Sequence, residues 1–178
     1  MYSIDHYIPL AIACKAKEAK TKGKVYDPTR DHGLIGSALE LSVKDFYGKP
    51  LTLSPAGTCD LYIGSRHAEV KQGAGELGRT FNKTLLKGSG LVVYVPVVVE
   101  TAPLNRQEGY VMDRAVFLEA LAEAGAIRTK DGEKVTIQTF WVRSTNKPHG
   151  RLLDKMLTAF DNKVESGEAL TLEDFLNE

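Results

Sequence analysis

The run at residues 91–99, six of whose nine positions are valine, constrains this chain more than any other feature, for it is apolar at alternate and at intervening positions alike. β-Branched and aromatic residues suit a strand, and a strand apolar on both faces belongs in the middle of a sheet covered on both sides. A covered sheet requires helices, so the run predicts a layered α/β domain. It is also interrupted by Pro96 and is less than half a membrane span. Asp5 and His6 break the apolar segment that a secretory signal would need. The expectation is a soluble cytoplasmic protein with no membrane partner.

The length of 178 residues suits one domain, and 43% hydrophobic with 26% charged residues excludes disordered, collagen-like and fibrous chains. Cys14 and Cys59 are too few for a disulfide framework and lack metal-ligand spacing, so they read as reduced thiols. Helices are predicted over residues 3–20, with Ser3 as a cap, and over 33–47, 75–86, 111–124 and 149–164. In the second of these Ile35, Leu39, Val43 and Phe46 form the buried stripe, Glu40 lies beside it, and Gly48 and Pro50 stop it. Strands are predicted over 51–53, 59–63, 67–72, 91–99 and 135–142, the second and third joined as a hairpin through Gly64 and Ser65. Residues 1–32 read as a helix and basic loop on the core, 33–164 as the core, and 165–178 as an acidic tail. That tail carries Glu165, Glu168, Glu173, Asp174 and Glu178 and no basic residue, so it is not expected to contact nucleic acid.

Lys and Arg number 23, as do Asp and Glu, so no general cationic coat exists and any nucleic-acid contact needs a local basic surface. The one basic cluster is Lys15, Lys17, Lys20, Lys22 and Lys24, opposed by Glu18. Such a run is ordinarily a solvated helix face.

Chemistry concentrates on the expected hairpin. Alternation puts Asp60 and Tyr62 on one face of its first strand and His67, Glu69 and Lys71 on one face of its second. Pairing through the Gly64–Ser65 turn brings Asp60 near Glu69 and Lys71. Carboxylates beside buried Ala68 and Val70 must be paired or bound to metal. Oxygen ligands favour a hard cation, magnesium or manganese, which polarises a phosphoryl oxygen and acidifies bound water, while a lysine stabilises phosphate charge.

Asp60 followed after eight residues by Glu69-Val70-Lys71 resembles the D…(D/E)xK signature of the PD-(D/E)XK, or restriction-endonuclease-like, nuclease superfamily. The resemblance covers residues 33–99: that family places a Glu-bearing helix before three strands, then a helix and a buried strand. Glu40 matches the helical Glu and Gln72 a glutamine often found after the Lys, whereas Cys59 stands where a Pro is usual. The resemblance implies a mixed sheet with a three-stranded antiparallel start, a crossover helix and flanking helices. It also implies a magnesium- or manganese-dependent nuclease, endo- or exonucleolytic, that leaves 5′-phosphates on DNA. Glu40, Asp60, Glu69 and the carbonyl of Val70 would hold the metal, Lys71 would act on the attacking water, and Gln72 would position Lys71 or the phosphate. Arg66, Arg79, Lys83 and the Lys15 to Lys24 cluster are candidate phosphate contacts, and a homodimer is an assembly the sequence leaves open.

Other readings compete. Glu69 and Lys71 would mean little on the solvent face of an exposed hairpin, and the fold could bind nucleic acid without turnover. Gly73, Gly75 and Gly78 form a GxGxxG run after a strand, with Glu100 at the end of the next, as a dinucleotide-binding protein requires. The preceding strand, with Glu69 and Lys71, is too polar for that fold. Neither cysteine has the His and acid partners of a thiol hydrolase.

Overall fold

The computed structural model describes residues 2–55, 58–72, 90–130, 133–136 and 147–178, with side chains described outside 128–153. Helices α1 (Ile4–Thr21) and α2 (Leu34–Phe46) come first, separated by a 3-10 turn at Pro28–Arg30. Strands β1 (Leu61–Ile63), β2 (Arg66–Gln72) and β3 (Leu91–Val95) follow, then β4 (Tyr110–Asp113) and helix α3 (Arg114–Glu123). The hairpin β5 (Ile127–Lys130) and β6 (Glu133–Thr136), helix α4 (Lys147–Glu165), β7 (Ala169–Thr171) and α5 (Leu172–Asn177) complete the order.

Among the described residues five strands form one mixed sheet in the order β1-β2-β3-β4-β7, and β5 pairs with β6 in a separate hairpin. The central place belongs to β3, all five of whose residues are buried. Alternation divides them between two cores. Leu91, Val93 and Val95 join Ala68 and Val70 under α1 and α2, through Ile4, Tyr7, Ala11, Leu39 and Val43. Val92 and Tyr94 pack on the other face against Phe117 of α3 and Phe160 of α4. Burial of this kind contributes about 25 cal/mol for each Å² of apolar surface removed from water, and it explains why the apolar run had to be central.

The β2–β3 pair is parallel, with Glu69 opposite Val92 and Lys71 opposite Tyr94. A parallel pair needs a crossover connection. The predicted helix over 75–86, with Arg79, Lys83, Gly73, Gly75 and Gly78, lies outside the described residues. Where the connection returns, Gly90 has φ +110° and a Cβ there would meet the His67 carbonyl oxygen at 2.4 Å, so the tight approach of β3 to β2 requires glycine.

Several expectations are corrected. Residues 51–53 form no strand, so the antiparallel start has two strands rather than three. Pro50 and Pro55 bracket that segment, and side chains of α1 and α2 satisfy its backbone: Lys44 Nζ donates to Thr52 O at 2.6 Å, Ser54 N donates to Glu40 Oε1 at 3.0 Å, and Cys14 Sγ donates to Leu51 O at 3.7 Å. The strand predicted over 91–99 stops at Val95, before Pro96. The helix predicted from residue 111 begins at Arg114, because Val111 and Met112 complete the sheet beside β3. Ser3 makes no capping hydrogen bond, its hydroxyl donating instead to Asp5, and Phe46 is 41% exposed rather than part of the buried stripe. Of the strand predicted over 135–142, Val135 and Thr136 end β6, and the later residues lie outside the described ones. The acidic tail is an edge strand and a helix, anchored by buried Ala169, Leu172 and Leu176. Its acids have a local reason: Thr171 caps α5 by accepting Asp174 N at 3.1 Å, and Glu173 and Asp174 occupy the first turn, where the helix dipole favours negative charge.

Candidate functional site

The candidate site lies where β1 leaves the sheet. The ladder pairs Leu61 with Ala68 and Tyr62 with His67, and Gly64, at φ +60°, closes the hairpin. One residue before β1, Asp60 N still donates to Ala68 O at 3.1 Å, but the next acceptor on that edge is a side chain: Val70 N donates to Asp60 Oδ2 at 2.6 Å. The carboxylate takes the place of a strand carbonyl. Because N–H and C=O of a strand residue point to the same side, the Val70 carbonyl faces this edge as well. Asp60 Oδ1 accepts no hydrogen bond among the described residues.

Asp60 lies just outside the ladder, whose last pair is Leu61 with Ala68, and the charge of Glu69 acts on its carboxyl. Glu69 is 4% exposed and stands between two cations: Lys71 Nζ lies 3.4 Å from Oε2 and Arg114 Nη2 lies 3.8 Å from Oε1. Arg114, itself 5% exposed, opens α3 and is held there by its N–H, which donates to Gly90 O at 2.8 Å. Sequence reading placed this residue inside a longer helix and missed it. Only the pairing of β3 with β4 brings the start of α3 beside β2.

Glu40 approaches from α2. Lys44, one helical turn on and 5% exposed, donates to Glu40 Oε1 at 2.5 Å, to Thr52 O and, at 2.8 Å, to Ser54 Oγ, which satisfies all three of its protons. Ser54 Oγ in turn donates to the Asp60 carbonyl at 2.8 Å. A chain of hydrogen bonds thus runs from α2 through Lys44 and Ser54 to the backbone of Asp60. Glu-to-Lys spacing of four on the predicted helix was a visible signal for the first link. Ser54 gave none.

Electrostatics single out Asp60. Burial pushes its carboxyl up from 3.8 to about 7; Lys71 opposes this, Glu40 and Glu69 reinforce it, and the Val70 N–H opposes it again. These influences show that three carboxylates and Lys71 act on one small region. Among the described residues no group of three or more His, Cys, Asp or Glu side chains is arranged to hold a metal ion. A cation at this edge would therefore draw on Asp60 Oδ1, Glu69, the Val70 carbonyl and water, an all-oxygen set that fits magnesium or manganese.

Other candidate residues are placed differently. Gln72 ends β2 on the face of Ala68 and Val70, opposite that of Lys71. Arg66, half-exposed, is ion-paired with Asp113. In the basic cluster Lys15 Nζ lies 2.6 Å from Asp31, and Lys22 Nζ lies 2.5 Å from Glu18; Lys17, Lys20 and Lys24 are exposed. Glu100 is exposed in a turn five residues beyond the end of β3, away from the strand end that a ribose-binding acid would occupy. No helix among the described residues is long and apolar enough to cross a membrane. Comparison with protein-family models, with curated proteins and with solved structures found no match to this chain.

Proposed function

We propose that the chain is a restriction-endonuclease-like hydrolase that cleaves phosphodiester bonds of DNA with a divalent cation. The observation that carries this reading is the edge at Asp60: a half-buried carboxylate accepts the Val70 N–H through Oδ2 and feels the charges of Glu40, Glu69 and Lys71, and Lys71 Nζ lies 3.4 Å from Glu69. The element order supports it too, since a Glu-bearing helix precedes the hairpin and the buried parallel strand β3 follows. Asp60, Glu69 and the Val70 carbonyl would hold the cation, and the cation supplies charge for the phosphoryl oxygen and a lowered pKa for its water. Lys71 orients that water and takes up charge on the phosphate. Arg114 and Lys71 flank Glu69, and Glu40, fastened by Lys44, adds negative charge behind Asp60.

A second reading, a DNA-binding protein without turnover, is favoured by one observation: Glu40 and Glu69 are already matched by Lys44, Lys71 and Arg114. Cleavage assays on circular and linear DNA separate the two. Magnesium or manganese should support cleavage, calcium should bind without efficient turnover, and Glu69→Ala and Lys71→Ala should abolish cleavage while remaining folded. Equal cleavage by wild type and Lys71→Ala would sink the hydrolase reading, and metal-independent DNA binding with no cleavage by wild type would establish the second.

A further inference from the structure

Tyr62 and His67 face one another across the hairpin, with ring centroids 4.7 Å apart at 72°. Tyr62 is 50% exposed and His67 is exposed as well, whereas Tyr7, Tyr94, Phe117 and Phe160 are fully buried. Tyr62 lies on β1, at the edge of the sheet, and His67 beside it on β2, and neither belongs to a core cluster of the described residues. Tyr62 pairs with His67, and period-two alternation along β2 puts both rings on the face of Glu69 and Lys71. Two residues of strand separate rings from acids, about 7 Å at the usual rise, which is the reach of a single nucleotide.

We propose that this ring pair is a stacking shelf for one unpaired base, and that the substrate is therefore DNA with a single-stranded segment at the site: a single strand, a flap or a frayed end. The inference rests on the hydrolase reading, because the acidic edge is what fixes the phosphate. With a phosphate at Asp60 and Glu69, the base one nucleotide away arrives at Tyr62 and His67. Aromatic faces accept any base, since every base has a π-face, but only a base released from its duplex partner can lie on them. A fully paired duplex keeps its bases inside the stack and gains nothing from the rings.

Binding is measured with calcium in place of magnesium, so that the strand stays intact, using a single-stranded oligonucleotide carrying 2-aminopurine and the same oligonucleotide annealed to its complement. Wild type should quench the single strand and bind it more tightly than the duplex. Tyr62→Ala should lose about 5- to 150-fold in single-strand affinity with little change for duplex, and Tyr62→Phe, which keeps the ring, should behave as wild type. Placing one abasic site at the stacked position should cost wild type a similar factor and cost Tyr62→Ala nothing further. A cross-strand aromatic pair can also steady a hairpin, so thermal melting of each variant accompanies the titrations. Unchanged single-strand affinity in a folded Tyr62→Ala, or an abasic penalty that persists in it, overturns the shelf. Failure of the hydrolase reading is seen separately: the shelf signature would be present while magnesium supports no cleavage by wild type.

Discussion

In metal-free protein Asp60 should make stability depend on pH, and the magnitude follows from its surroundings. The unfolded carboxyl titrates near 3.8 and the folded one near 7, so the folded state binds the extra proton throughout that interval. Stability associated with the proton is fully present below pH 3.8, declines as pH rises, and is gone above about pH 7. The interval is some three pH units at about 1.4 kcal/mol each, so wild type loses about 4 kcal/mol across it. Asp60→Asn removes the titration. Its side-chain oxygen can still accept the Val70 N–H, so the hairpin edge keeps its hydrogen bond. The variant should gain on wild type by about 1.4 kcal/mol per pH unit between pH 4 and 7, then hold a constant advantage. Urea unfolding in chelator at half-unit pH steps measures this directly. Magnesium should shrink the difference above pH 7 by binding the ionised wild-type site. Parallel stability curves for the two proteins would refute the argument, because they would mean that the folded carboxyl titrates like an exposed one.

Lys44→Met should destabilise the fold by about 3–5 kcal/mol, since it strands a shielded Glu40 carboxylate; Glu40→Gln combined with Lys44→Met should recover much of that in equilibrium unfolding. Gly90→Ala should cost about 3 kcal/mol or more, from positive φ and the collision with His67 O, whereas Gly64→Ala, at φ +60° with open space around it, should cost about 1–2 kcal/mol; thermal melting of the two side by side tests the distinction.

The sequence alone determined those features that depend on neighbours along the chain. Alternation and the Gly64–Ser65 turn were enough for the β1–β2 hairpin, the apolar run was enough for a buried β3, and helical spacing was enough for α2, because each is a periodicity of two or 3.6 residues or a turn requirement. The same alternation led to the expectation of Asp60 near Glu69, and in the fold the charge of Glu69 acts on the Asp60 carboxyl. Tertiary structure decided whatever depends on which element lies alongside which. Residues 51–53 look like a strand and are not one, since Lys44 and Glu40 take the hydrogen bonds a partner strand would have taken. Val111 and Met112 extend a helical pattern and are a strand, since β3 had an open edge. Residues 169–177 have the composition of a solvated tail, yet they close the sheet and bury Leu172 and Leu176. Arg114 reaches Glu69 only through the β2–β3–β4 register, and Asp60 is pushed toward neutrality by the desolvation of its carboxyl in the fold and by the charges of Glu40 and Glu69. A residue's type and spacing travel with the chain, whereas desolvation, ion pairing and strand partnership are properties of the surroundings that the folded chain assembles.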